Sequence, residues 1–153
     1  MGMSKSNLRE TAAPDPNFRA SILAMDSDAD IRELLRLHLT AAGYEVRLAK
    51  DPIEAGHQLL ERFPDLLIAD ISVPYMNGLE FVGTVRADET LPRFPVILLA
   101  TTEENIENAN RMRGFPVLTK PMVADQLLSS VAHELRANGA DTERSRRRAD
   151  SPP

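Results

Sequence analysis

The stretch LLIADISVPYMNG, residues 66–78, decides how this chain is read. Leu66 to Ala69 is a continuous apolar run, the pattern of a strand buried on both faces. It runs straight into a carboxylate, Asp70, and then into a turn sequence with Pro74, Asn77 and Gly78. A buried strand should avoid an acid, because a charge out of water is costly unless it is partnered. The acid at the strand end therefore needs a reason.

On both sides of this stretch, short apolar runs alternate with amphipathic segments. Ser21 to Met25 reads as a strand. Over 29–42, Ile31, Leu34, Leu35, His38 and Ala42 recur at helical spacing, and Gly43 is a fitting stop. YEVRLA (44–49) alternates as a strand does, and 52–63 reads as a helix closed by Pro64. Downstream, a helix is expected over 79–87 with Leu79, Val82 and Val85 on one face. PVILLA (95–100) is the most apolar strand. Residues 103–112 form a weaker helix with Ile106, Ala109 and Met112 inward, FPVLT (115–119) a short strand, and 124–137 a last helix carrying Leu127, Leu128, Val131 and Leu135. The class is α/β: a (βα)5 doubly wound, parallel five-stranded sheet covered on both faces.

Residues 1–19 and 138–153 read as flexible tails, leaving 20–137 as one domain, and a chain of 153 residues can bury an adequate core. Cysteine is absent, which excludes disulfides and thiolate metal sites and fits a reducing cytoplasm. No apolar run approaches the roughly 18 residues that span a bilayer, and no secretory signal opens the chain. A net charge of −5 argues against a nucleic-acid surface, and the arginines at 144–148 are offset by Asp141, Glu143 and Asp150. His38, His57 and His133 lie at no ligand spacing.

In such sheets the working site lies beyond the carboxyl ends of the strands. Those ends carry Asp26, Asp70, the run Ala100-Thr101-Thr102, and Lys120 before Pro121. Two carboxylates together favour a hard divalent cation that keeps several waters, with Mg²⁺ the first choice. A lysine beside them suits anionic oxygens, and the three together suit phosphoryl transfer, in which a carboxylate can be the nucleophile. The plainer roles are a helix cap for Asp28, a solvated surface for Lys120, and ordinary turn positions for Asn77 and Gly78.

ILAMDSDADIRELLRLHLTAAGYEV, PDLLIADISVPYMNGLEF, FPVILLATT and LTKP, in this order and spacing, resemble the receiver domain of two-component response regulators across about residues 20–137. The resemblance implies a flavodoxin-like receiver fold. It implies Asp70 as phosphoacceptor for a histidine kinase or phosphotransfer protein, and Mg²⁺ held by Asp26, Asp70 and the backbone carbonyl of Ser72. It also implies Lys120 against the phosphoryl oxygens and a cis Lys120–Pro121 bond. Output would pass to a downstream protein, or to self-association, through the face of helix four, strand five and helix five. The sixteen residues after 137 are too few for a DNA-binding or catalytic output domain, so the chain reads as a single-domain relay or as one segment of a longer protein.

Three positions depart from the family. Ser27 stands where a second acid is usual, and metal affinity is expected to fall. Ala100 stands where a Thr or Ser hydroxyl meets the phosphoryl group, and Val117 where an aromatic ring switches. The segment before Val117 is also a residue short. These departures raise a second reading, a phosphorylation-independent interaction module. A third is a haloacid-dehalogenase-like phosphatase with Asp26 as nucleophile, Asp28 as general acid/base, and Thr101 and Lys120 on phosphate. That reading lacks a downstream acid pair and leaves ADISVPYMNG unexplained.

Overall fold

The computed structural model describes residues 17–112 and 114–139, so most of both expected tails lies outside the described residues. Five strands, β1 (Ser21–Met25), β2 (Glu45–Ala49), β3 (Leu66–Asp70), β4 (Val96–Ala100) and β5 (Val117–Thr119), alternate with five helices. The helices are α1 (Ala29–Ala41), α2 (Pro52–Glu61), α3 (Gly78–Ala87), α4 (Glu103–Arg111) and α5 (Ala124–Ala137). The strands pair in parallel in the order β2-β1-β3-β4-β5.

Local chemistry sets most helix ends. Asp28, Asp51, Asn77 and Thr102 each cap a helix by accepting a backbone N–H. At the far end of α1, Gly43 has φ +97°, its N–H donates to the Thr40 carbonyl at 3.0 Å, and the Tyr44 N–H donates to the Leu39 carbonyl at 3.1 Å. That pair of bonds is a Schellman stop, and glycine enters it without a Cβ penalty. α2 ends at Glu61, two residues before the expected 63, with Arg62 already extended, because Pro64 pushes the chain before it out of helical geometry. β5 is shorter than expected: Phe115 and Pro116 stay outside it, and Pro116 contributes only its carbonyl, accepting from Leu98 N at 2.9 Å.

The strand residues divide by parity. Leu23, Met25, Leu67, Ala69, Val96, Leu98 and Ala100 pack beneath α2, α3 and α4 with Ala55, Leu59, Phe81, Val82 and Ala109. Ile22, Ala24, Leu66, Ile68, Ile97 and Leu99 pack beneath α1 and α5 with Leu35, Leu39, Leu127, Val131 and Leu135. Each large aliphatic side chain so buried contributes roughly 1.5–3 kcal/mol. Continuously apolar strands are the consequence of having helices on both faces. The chain order reverses at β1, which lies between β2 and β3, so a crevice opens between the carboxyl ends of β1 and β3.

Candidate functional site

Register brings the acids together. Met25 is level with Ala69 across the β1–β3 pair, so Asp26 and Asp70 stand one step further on, at one height. Both follow the parity of Ala24 and Ile68, and Lys120 follows that of Leu118, so all three side chains share a face. Asp26 is wholly buried and Asp70 is 2% exposed. Lys120 Nζ reaches Asp26 Oδ2 at 2.9 Å and Asp70 Oδ2 at 3.2 Å. The outer oxygens are held by backbone: Asp28 N donates to Asp26 Oδ1 at 2.9 Å, and Ser72 N to Asp70 Oδ1 at 3.2 Å. The Lys120–Pro121 peptide is cis, as expected.

One ammonium cannot neutralise two buried carboxylates. Burial, and then the charge of Asp26, push the Asp70 carboxyl up to about 6, against the pull of Lys120 and the Ser72 N–H. Burial alone would lower the Lys120 ammonium, but the bond to Asp26 and the charge of both carboxylates raise it instead. Because the folded state binds the Asp70 proton more tightly than the unfolded chain, stability falls as pH rises from about 4 to about 6, and above that the full cost of roughly 2–3 kcal/mol is present. Asp70→Asn is therefore expected to stabilise the metal-free domain by about that amount near pH 7.5 and by little near pH 4. Urea midpoints in chelator at the two pH values check this, and a gain equal at both contradicts it.

The excess negative charge is what a divalent cation would relieve. Asp26 and Asp70 stand at one height with hard carboxylate oxygens, and with the Ser72 carbonyl they would hold such an ion while leaving positions for water, the arrangement Mg²⁺ prefers. The donor set fits the ion. Ser27 adds no charge, and its hydroxyl donates to that Ser72 carbonyl at 3.4 Å. Ala100 is buried on the side of α4, and its side chain carries no polar atom. Thr102 caps α4, its Oγ1 accepting from Asn105 N at 3.1 Å. Thr101 is exposed, and among the described residues no side-chain hydrogen bond runs from it to Asp70 or Lys120. Val117 packs against the core on that same side, and Phe115 lies 5.2 Å beneath the Arg86 guanidinium.

Other expectations resolve as structure. Asp28 is exposed and caps α1, accepting from Asp30 N at 2.8 Å. Asn77 caps α3 by accepting from Leu79 N at 2.7 Å. Gly78 is more than a turn residue: a Cβ there would lie 2.1 Å from the Asp70 carbonyl oxygen. Sequence reasoning did not find Asn105, whose Nδ2 donates to Ser72 Oγ at 3.1 Å, or Arg32, whose NH1 donates to the Asp26 carbonyl at 2.8 Å. No pattern marks either as a site residue, since each contact depends on where a loop passes.

Tyr75, in the loop after β3, has φ +74° and is 77% exposed. A non-glycine residue there costs about 1–2 kcal/mol. Tyr75→Gly relieves it at a smaller entropic cost, so a net gain of about 0.5–1 kcal/mol is expected in a urea melt. A loss instead would show that the exposed ring makes compensating contacts.

Residues 22–132 match the response regulator receiver domain family. The chain is 31% identical over 124 residues to the phosphate regulon transcriptional regulatory protein PhoB of Pseudomonas aeruginosa, covering 78% of this chain and 53% of that protein. It is 33% identical over 126 residues to response regulator MprA of Mycobacterium leprae, covering 78% and 53%. The chain thus spans about half the length of these curated relatives. Among solved structures, the chemotaxis response regulator CheY4 of Vibrio cholerae superposes with a TM-score of 0.67 at 32% identity, over 74% of this chain and 97% of that one. NtrX of Brucella abortus gives 0.72 at 27%, over 84% and 29%. Among the described residues no helix is long and apolar enough to cross a membrane. By sequence, sheet order and the match across residues 22–132, the chain belongs to the response regulator receiver domain family, the signalling domains of two-component systems.

Proposed function

We propose that Asp70 accepts a phosphoryl group from a histidine kinase or phosphotransfer protein in the cytoplasm, and that the 20–137 domain then signals by protein–protein contact. The observation that carries this reading is the single lysine shared by two buried carboxylates at the β1–β3 crevice. An Asp70 carboxyl titrating near 6 is ionised at neutral pH and able to attack phosphorus. In that step the new bond runs from an Asp70 oxygen to phosphorus, the bond from phosphorus to the donor breaks, and the electron pair leaves with the donor. Lys120, already between the acids, is placed to turn its ammonium to the arriving oxygens. Mg²⁺ held by Asp26, Asp70 and the Ser72 carbonyl would supply neutralisation of the phosphoryl charge, with affinity weakened by Ser27.

Ala100 and Val117 supply neither hydroxyl nor ring, so the usual path to the α4–β5–α5 face is altered, whether that face binds a partner or a second copy. They also favour the second reading, a module that binds its partner without phosphate. Intact mass after incubation with Mg²⁺ and acetyl phosphate separates the two. The phosphoacceptor reading expects the mass of one phosphoryl group on the wild type and none on Asp70→Asn. If the wild type stays unlabelled by acetyl phosphate and by a cognate kinase, the binding-module reading stands.

A further inference from the structure

A receiver can report the state of its phosphoacceptor only if something beyond the crevice moves with it, and here β4 and β5 present Ala100 and Val117 to that task. A different polar connection crosses the same gap. Ser72 donates its N–H to Asp70 Oδ1 at 3.2 Å. Its hydroxyl accepts from Asn105 Nδ2 at 3.1 Å, and the Asn105 N–H donates to the Thr102 hydroxyl that caps α4, also at 3.1 Å. The chain Asp70–Ser72–Asn105–Thr102 is continuous. Among the described residues no other side-chain hydrogen bond joins α4 to the loop after β3.

We propose that Asn105 is a positioning residue that couples α4 to the state of Asp70 through Ser72, in place of the hydroxyl and ring that β4 and β5 lack. The proposal rests on the reading of Asp70 as the phosphoacceptor. Its mechanism lies in how Ser72 is held. The Ser72 N–H bonds an ionised carboxylate, a contact roughly twice as strong as a neutral one, and the Ser72 carbonyl accepts from the Ser27 hydroxyl at 3.4 Å. A phosphoryl group on Asp70 takes charge from the carboxylate that anchors this peptide, so the peptide shifts and its side chain shifts with it. α4 is the element able to answer. It buries a single residue, Ala109, whereas α5 buries Leu127, Val131 and Leu135. A helix with so little buried apolar contact sits at the low-stability end of the fold, where one polar tether matters.

Deuterium uptake across α4 tests this in the whole chain and in Asp70→Asn, Asn105→Ala and the double variant. Each is measured with and without Mg²⁺ and acetyl phosphate, and phosphoryl mass is read on the same samples. Asn105→Ala alone is expected to speed exchange in α4 roughly two- to tenfold, the span of one net hydrogen bond. Asp70→Asn is expected to change α4 exchange relative to α5 when Asn105 is present and to leave that ratio unchanged when Asn105 is alanine, the change in α5 alone reporting the global stabilisation. Asn105→Asp, which accepts from the Ser72 hydroxyl, is expected to keep the response. An α4 response to Asp70→Asn that is the same with and without Asn105, or absent from both, overturns the coupling. A wild-type chain that gains no phosphoryl mass from acetyl phosphate or from a cognate kinase overturns the phosphoacceptor reading instead, and the Asp70→Asn comparison then still decides the coupling.

Discussion

Lys120→Met is expected to cost the metal-free domain about 3–5 kcal/mol near pH 7.5, the range for removing one partner of a buried ion pair. Methionine keeps most of the stem, so the loss isolates the charge. Two carboxylates, one wholly buried and one nearly so, lose the ammonium that their inner oxygens share at 2.9 and 3.2 Å. The same repulsion that already raises the Asp70 carboxyl raises it further in the variant, and protonation limits the damage. The sign of the pH effect follows. Acidification to about pH 5 neutralises Asp70, so the difference between wild type and variant is expected to fall by at least half. Against a total stability of about 5–15 kcal/mol, the neutral-pH loss is severe. Urea melts in chelator at both pH values measure it. A loss that does not change with pH would assign the effect to packing of the lysine stem rather than to charge.

Gly78→Ala is expected to cost about 3 kcal/mol or more, at the upper end of overpacking effects, although alanine is the better helix former by about 1 kcal/mol. The added Cβ would meet the Asp70 carbonyl oxygen at 2.1 Å, Ile71 Cα at 2.7 Å and the Asp70 carbonyl carbon at 2.9 Å. All three are backbone atoms at the end of β3, so no flexible side chain can swing aside. The Gly78 N–H also donates to the Ile71 carbonyl at 2.9 Å, which fixes the start of α3 against the strand. Gly83, in the same helix, has nothing within 4 Å of the corresponding position. Gly83→Ala is therefore expected to stabilise by about 0.5–1 kcal/mol. Opposite shifts of the urea midpoint for one substitution in one helix test the claim, and shifts of the same sign reject it.

Much of the architecture was legible from local patterns. Apolar runs of strand length between amphipathic segments announced strands buried on both faces, and the structure has helices on both faces of a five-stranded parallel sheet. Gly43, Pro64 and the cap at Asp28 act within a turn of their own position, so they were read without tertiary knowledge, whereas the caps Asp51, Asn77 and Thr102 were not read although their chemistry is as local. The candidate site was partly legible for a related reason. In a parallel sheet the strand ends converge, so the residue that terminates each strand can be named before the strand order is known. Asp26, Asp70 and Lys120 were found that way.

The sequence by itself determined the element order, the two-faced burial of the strands and the residues delivered to the crevice, because each depends on periodicity and chain direction over a few residues. Tertiary structure alone decided what those residues do to one another. Lys120 bonds a carboxylate 94 residues away. The Asp70 carboxyl is raised by burial and by a neighbour on another strand. Gly78 is forced by the carbonyl it lies against, Tyr75 takes a left-handed turn, and Asn105 ties α4 to Ser72. These contacts follow from sheet register and loop path, where a displacement of one residue turns a side chain to the opposite face or moves it beyond hydrogen-bond reach.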